Sequence, residues 1–551
     1  MGYIKFLILL IFNIIACIRS SNPIAIPFSA FELVIIFMAS NALYEKNRVY
    51  GYFLNLLLSL LFGIQTFVLF FSGEFVSALM LENTNMTSNL GKDLTGYIAL
   101  AIPVLACIAL PSRTNLKIKA LHLQILTCGY VVASVFAIHI SNGQKHSPLV
   151  SSASTLWSIG KISVHRMFRK QIDTQIISEQ FKRDSKPGNG STGLVPTHSD
   201  KPNVIIIFIE GMSAEVIDSY NRLGLGVTPS LDSLKAHSLV FDNYYNHTAA
   251  TFRGLRGQLF SSHQELGGYY EDNSGLGQLD DKEMNRKMST GMVSIIDILK
   301  ECGYRTCFVN PEPGSPHTTS YLKNFRTDEL ATKEISQGEI SENESISDKD
   351  VFEVLESTVL EYHKSGQPFL ICNYNLGTHH GFDSPDIKFG DGRNAIFNKF
   401  FNYDYWLGRF LNRMNAAGVF DNTILVLTSD HASYPAPEYL KAFSSKQKGF
   451  ISQIPLFIYT TGITPMTIDA KCRNSLTLAP TIIDILNIPQ TRHRTNWFLG
   501  NSLFTNAGKF DRTAAIGEEF FQTSDGIVKP IRKGIVISEI KTYYEISVNR
   551  N

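Results

Sequence analysis

Five long apolar runs crowd into the first 141 residues of this 551-residue chain, and they constrain its fold more than any other feature. The runs are Tyr3–Ile18, Ile24–Ala42, Val49–Ser72, Leu94–Leu110 and Leu121–Ile140. A membrane-crossing helix needs about 20 mostly apolar residues, roughly 17–25. The third and fifth runs meet that length, the first and fourth are short, and the second contains Glu32. A cleaved signal peptide is the alternative for the first run, but further apolar runs follow it and no clean small-x-small site precedes Ser20. The reading is five membrane helices. Lys46 and Arg48 lie in one connecting loop, and Arg113, Lys117 and Lys119 in another. The loop between these two, Gly73–Lys92, holds Glu74 and Glu82 and is nearly free of basic residues. The positive-inside rule puts the two basic loops in the cytoplasm. With five crossings, everything after Ile140 is exported.

The remainder divides at a linker. Residues 142–170 are polar to amphipathic, with Leu156, Ile159, Ile162 and Met167 near helical spacing and Lys161, Arg166, Arg169 and Lys170 between them. They read equally as an interfacial helix on anionic lipid or as a plain linker helix. Residues 184–203, rich in Gly, Ser and Pro, read as a flexible linker. The expected layout is therefore a transmembrane domain at 1–141, a juxtamembrane helix and linker at 142–201, and an extracytoplasmic domain at 202–551. Lys+Arg is 50 against Asp+Glu 49, a balance that gives no support to nucleic-acid binding. Of seven cysteines, four (Cys302, Cys307, Cys372 and Cys472) belong to the exported part. The spacing of Cys302 and Cys307 permits a local disulfide in an oxidising compartment.

From residue 202 onward, short apolar runs alternate with helical patterns. Strands are expected at 203–210, 305–311, 368–376, 422–430 and 454–459, and helices at 292–303, 350–366 and 398–418. Continuous apolar strands separated by helices predict an α/β fold with a mostly parallel sheet covered on both faces. Ligands in such sheets bind beyond the carboxyl ends of the strands. Those ends carry Glu210, then His379 and His380 in "GTHHGF", then Asp430–His431. Carboxylates with an imidazole suit one divalent ion, Mn²⁺ or Zn²⁺. A hydroxyl beside such an ion becomes a stronger nucleophile, and the threonines of "NHTAATFRG" (246–254) are the candidates. A threonine before a helix is ordinarily a cap, and an acidic residue at a strand end often is too.

Taken in order, "PNVIIIFIEGMS", "TPSLDSLKAHSLVFDNYYNHTAATFRG", "GTHHGF", "ILVLTSDH" and "TLAPTIIDILNIP" resemble the alkaline phosphatase/sulfatase superfamily, and within it the membrane-anchored phosphoglycerol transferases. The resemblance spans about 202–490 and includes the layout of the apolar N-terminus. It implies that Glu210, Thr251, Asp430 and His431 hold the metal, with Thr251 also the nucleophile. It implies that His379, with His380 as a weaker second, lies on the substrate side, where it holds the phosphate or assists proton transfer as a catalytic residue. Arg253 binds phosphate bidentately if it points inward, or makes a surface salt bridge. The implied activity is transfer of phosphoglycerol from phosphatidylglycerol to a glycan or polyol acceptor through a phospho-threonine intermediate, outside a bacterial cytoplasmic membrane. Phosphoethanolamine transfer, a phosphodiesterase or sulfatase-like hydrolase, and a non-catalytic membrane-bound binding protein stand as alternatives. No Cys-x-Pro-x-Arg occurs, so the aldehyde-forming sulfatase signature is missing. "SDHASY" lacks the Gly-Glu frequent in phosphoethanolamine transferases, which are also typically disulfide-rich.

Overall fold

The structure is a computed structural model that describes residues 2–20, 22–73, 75–76, 102, 104–110, 119–140, 145–167, 193–197, 199–264, 292–333, 345–488, 498–517 and 519–548. The chain divides into two compact units: Met1–Lys170 with Pro435–Lys441, and Gln171–Tyr434 with Ala442–Asn551.

The first unit contains helices α1 (Gly2–Arg19), α2 (Ala25–Lys46), α3 (Arg48–Ser72), α4 (Ala120–Ile140) and α5 (Pro148–Met167). Among the described residues three helices are long and apolar enough to cross a membrane: Ala25–Lys46, Arg48–Phe71 and Leu121–Ile138. The expectation of five is thus met by three. Helix α1 has 18 residues and carries Lys5 and Arg19, and the run Leu94–Leu110 lies largely outside the described residues. Half of the linker read at 184–203 also lies outside them. Glu32, the charge that interrupts the second run, is buried and accepts hydrogen bonds from Tyr130 Oη (2.9 Å), Ser147 Oγ (2.6 Å) and the Leu149 amide (3.0 Å). Lys5 likewise donates to Asn55 Oδ1 (2.7 Å) and the Ile108 carbonyl (2.6 Å). Polar groups inside an apolar bundle persist only when partnered in this way.

In the second unit an eight-stranded sheet has the order β4-β3-β5-β1-β6-β7-β2-β8. The strands are β1 (Asn203–Ile209), β2 (Leu239–Asp242), β3 (Arg305–Val309), β4 (Glu329–Ala331), β5 (Phe369–Tyr374), β6 (Thr423–Ser429), β7 (Leu456–Tyr459) and β8 (Met466–Asp469). The sheet is mostly parallel, as expected, with one departure: β7 runs antiparallel to both β6 and β2. Central strands β1, β5 and β6 are buried at every position. The β-branched, mostly apolar runs of β1 and β6 fit a sheet covered on both faces.

The flanking helices that matter for the site are α6 (Pro229–Ala236), α7 (Thr251–Phe260), α8 (Ile295–Glu301), α9 (Asp348–Ser365) and α10 (Ala395–Ala416). Ser294 and Asp297 form a reciprocal capping box that starts α8, and the side chains of Ser347 and Asn394 cap α9 and α10. Helix α6 borrows its cap from another element. Asp404 of α10 accepts the amides of Ser230 and Leu231, each at 2.8 Å. Among the described residues there is no disulfide. Cys307 sits within β3 and Cys302 follows α8, and the two are not joined. A small antiparallel sheet (Thr513–Ile516, Glu519–Ser524, Ile527–Ile531) follows, in which "GEEFFQTSDG" supplies a strand and its Asp525–Gly526 turn at φ 50° and 72°.

Candidate metal and nucleophile site

β1 lies between β5 and β6, with Phe208 opposite both Tyr374 and Thr428, and Ile209 opposite Ser429. The residues that follow each strand therefore emerge together: Glu210 from β1, Asn375 from β5, and Asp430 and His431 from β6. Glu210, Asp430 and His431 are all buried, and each offers one ligand atom so that these lie within 4.8 Å of one another. His431 Nε2 is 3.3 Å from Glu210 Oε1 and 3.6 Å from Asp430 Oδ2. His431 Nδ1 lies 2.8 Å from the Ala432 carbonyl, which can only accept, so Nδ1 carries a proton and Nε2 is the ligand-capable nitrogen. Asp430 Oδ1 accepts the amides of Gly211 (2.9 Å) and His431 (2.7 Å). Its Oδ2 is buried and has no hydrogen-bond partner among the described residues. A buried carboxylate oxygen left in that state is costly. Two carboxylates and one imidazole nitrogen converging on it fit a divalent cation.

The electrostatics point the same way. Burial alone would raise Glu210, but the His431 hydrogen bond and charge, the His379 charge and the Thr251 hydroxyl outweigh it and bring Glu210 to about 2. Burial, reinforced by the Glu210 charge, pushes Asp430 well above the usual carboxylate range. Burial would lower His431, yet the Asp430 and Glu210 charges raise it to about 10. The proton held on His431 stands where a divalent charge fits.

Thr251 is the first residue of α7, and its Oγ1 donates to Glu210 Oε2 at 2.7 Å. It is half-buried, and no cap bond forms at that helix start: the residue in the cap position is Ala250, with φ +72°. A positive φ in a residue with a side chain is strained, and such strain concentrates at functional sites. The helix is held close by two glycines. A Cβ on Gly254 would meet the Asp430 carbonyl oxygen at 2.2 Å, and one on Gly257 would meet His247 Nε2 at 1.8 Å. His247 Nδ1 lies 2.7 Å from Ser475 Oγ, so this residue, which had no role from sequence, is fixed against α7. Arg253 is 1% exposed, which excludes the surface salt bridge. Its Nη1 donates to the Ala249 carbonyl (3.3 Å), and its guanidinium lies 5.0 Å from the Phe252 ring.

The loop after β5 is tied to Glu210. The Glu210 amide donates to Asn375 Oδ1 (3.0 Å), and Thr378 Oγ1 donates to the Glu210 carbonyl (2.7 Å). Asn375 Nδ2 and the Gly377 amide donate to Asp348 Oδ1 (3.1 and 3.2 Å), and Asn402 Nδ2 to Asp348 Oδ2 (3.2 Å). This buried carboxylate fills the space a side chain at 377 would need, with Oδ2 2.3 Å from a Cβ there. The loop places His379 within the electrostatic reach of Glu210. Burial, with Lys399 and His431, lowers the His379 pKa against the opposing effect of Glu210. Its Nδ1 lies 2.9 Å from the His380 carbonyl, which leaves Nε2 unprotonated in the neutral ring. His380 is exposed and stacks on Tyr434 at 5.3 Å. Asn375, Thr378, Asp348 and Lys399 were missed in the sequence. Asn375 and Thr378 lie in the loop after β5, Asp348 opens the charged helix α9 and Lys399 sits on α10, so nothing local sets them apart.

The family model described as "Sulfatase" matches residues 202–488, just over half of the chain. The chain belongs to the sulfatase family. Phosphoglycerol transferase I of Escherichia fergusonii is 25% identical to this sulfatase-family chain over 393 residues, covering 65% of this chain and 48% of that protein. Lipoteichoic acid synthase 2 of Bacillus subtilis is 24% identical over 314 residues, covering 52% of this chain and 45% of its own length. The chain thus spans less than half the length of these two relatives. Among solved structures, an alkaline phosphatase superfamily protein from Vibrio parahaemolyticus shares the fold, with a TM-score of 0.51 and 18% identity over 69% of this chain and 95% of that one.

Proposed function

We propose that this sulfatase-family protein is a membrane-anchored transferase that moves phosphoglycerol from phosphatidylglycerol to a glycan or polyol hydroxyl on the outer side of a bacterial cytoplasmic membrane. The observation that carries this reading is Thr251 Oγ1 at the N-terminus of α7, hydrogen-bonded to Glu210 within the Glu210–Asp430–His431 cluster. The N-terminal end of α7 presents a positive helix dipole to an incoming phosphate. Similarity to a phosphoglycerol transferase and a lipoteichoic acid synthase supports the choice of donor.

Glu210, Asp430, His431 and Thr251 would hold the ion, Mn²⁺ or Zn²⁺. When bound, the ion would supply charge stabilisation to the hydroxyl and the phosphoryl oxygens. Thr251 Oγ attacks phosphorus, and the bond to the diacylglycerol oxygen breaks, leaving phosphoglyceryl-threonine. An acceptor hydroxyl then attacks the same phosphorus, and Thr251 departs. The Thr251 proton leaves with the diacylglycerol oxygen and is replaced from the acceptor hydroxyl. His379 is the group assigned to carry these protons, and its lowered pKa keeps it neutral and able to accept near pH 7. Dividing one displacement into two lowers each barrier. The apolar N-terminal helices would keep the site beside its lipid donor.

Turnover of labelled phosphatidylglycerol and phosphatidylethanolamine, measured side by side in detergent with added Mn²⁺ or Zn²⁺, tests the reading. The expected products are diacylglycerol from the glycerol lipid and an adduct of glycerophosphate mass on the peptide containing Thr251. An adduct of phosphoethanolamine mass would replace the donor. Absence of both adduct and diacylglycerol would sink the transferase reading.

A further inference from the structure

Lys399 lies on α10, outside every motif that marks the family in the sequence. It is 7% exposed. Among the described residues its Nζ makes one hydrogen bond, to the His379 carbonyl at 3.1 Å, and no carboxylate lies within ion-pair distance. An ammonium has three donors and is expensive to bury without an anion. The residue it holds is the one beside the proposed phosphate. Thr378, adjacent to His379, donates to the Glu210 carbonyl, so Lys399 reaches the nucleophile's partner through two hydrogen bonds and one peptide unit. The neighbouring groups on facing elements are Glu210, His379 and His380. Only Glu210 is anionic, and its charge offsets part of the burial that brings the Lys399 pKa down to about 8. At neutral pH the site therefore contains a buried cation whose compensating charge is incomplete.

We propose that Lys399 is a substrate-binding residue whose ammonium donates to a non-bridging oxygen of the phosphoryl group at Thr251 while keeping its bond to the His379 carbonyl. This rests on the reading of Thr251 as the phosphoryl-accepting residue. A phosphodiester or phosphomonoester supplies the anion that the burial of Lys399 lacks, and the resulting bond is charge-assisted. The ammonium would bind the phosphate and, through the backbone of His379, set where that imidazole stands.

The test uses the detergent-solubilised full chain loaded with Mn²⁺, with inorganic phosphate as the probe and calorimetric titration as the readout. Lys399→Gln removes the charge but can still donate to the carbonyl. It is expected to weaken phosphate binding about tenfold or more, the loss of one charge-assisted hydrogen bond, with wild-type Mn²⁺ content and Tm. Lys399→Arg is expected to recover most of the affinity. Wild-type affinity in Lys399→Gln, or no phosphate binding by the Mn²⁺-loaded wild type, overturns the proposal. Should the variants not fold, acetylation of Lys399 in the wild type, followed by peptide mass, decides. Phosphate slows it if the proposal holds and leaves it unchanged if not. The titration is independent of lipid turnover, so a chain that binds phosphate through Lys399 but cleaves neither lipid would refute the transferase reading alone.

Discussion

Thr251 Oγ1 and Glu210 Oε2 are 2.7 Å apart across 41 residues of sequence. The contact joins the first residue of a helix to the residue after a central strand, and it turns what could have been a helix cap into a hydroxyl aimed at a carboxylate. Thr251→Ala should lower lipid turnover by ~10³-fold or more, as removal of a covalent nucleophile does, with Tm changed little and Mn²⁺ bound more weakly through the loss of one ligand. Thr251→Ser should retain a measurable fraction. Initial rates of diacylglycerol release from labelled phosphatidylglycerol check both, and full activity in Thr251→Ala would leave Thr251 a structural residue.

Gly254 offers a test that leaves the chemical groups intact. A methyl at this position would sit 2.2 Å from the backbone oxygen of Asp430, which cannot yield as a flexible side chain would. Gly254→Ala should therefore cost roughly 1–3 kcal/mol of stability by overpacking. It should also cut kcat by moving α7, and with it Thr251, away from Glu210. A chemical melt and a steady-state rate on the same preparation measure both effects. An unchanged rate would mean that the helix position is not critical.

Metal uptake should release protons. Without a cation, the carboxylate charges hold His431 at about 10, so it carries a proton near pH 7 that a divalent ion displaces. Mn²⁺ affinity should therefore rise with pH through the neutral range. Calorimetry in buffers of different ionisation enthalpy counts the protons released, and Asp430→Asn should lower the count together with the affinity. Zero net release in the wild type would contradict this arrangement.

Two buried carboxylates outside the Glu210–Asp430–His431 cluster give a separate pH signature. Burial raises both Asp348 and Asp404 to about 6, against the hydrogen bonds each accepts. The unfolded value is 3.8, so between about pH 4 and 6 the folded chain holds protons that the unfolded chain has lost. Their contribution to stability then falls as pH rises through that window and stays at the lower level above it, by on the order of 3 kcal/mol per group. Asp297, Asp328 and Asp383 are shifted below the ordinary value, so their contribution is lost only at lower pH. The buried histidines His247, His263 and His379 are lowered and act in the opposite sense over this range, so the signature is a difference: in thermal melts, the Tm of Asp404→Asn minus that of the wild type should rise between pH 4 and 6. A constant difference would show that Asp404 does not titrate there.

Much of the site was legible because its parts terminate strands whose apolar runs announce themselves. Glu210 and Asp430–His431 follow β1 and β6, and both runs are continuous and rich in β-branched residues. The reversal of β7 was not legible, since a fully buried four-residue strand has the same pattern in either direction. Arg253 read equally as surface or interior, and only its burial at 1% exposure decided. Lys399 and Asp348 had no local signature, because their partners lie 20 and 27–54 residues away.

The sequence by itself determined strands β1, β3, β5, β6 and β7, helices α8, α9 and α10, and the polar residues that follow β1 and β6. Hydrophobic periodicity and capping act over a few residues, so the chain carries that information locally. Only the tertiary structure decided that β1 lies between β5 and β6, that Thr251 meets Glu210, and that a lysine from α10 is buried against the His379 loop. Those juxtapositions come from burying distant apolar faces together. The uncompensated charges left at the strand ends follow from that packing.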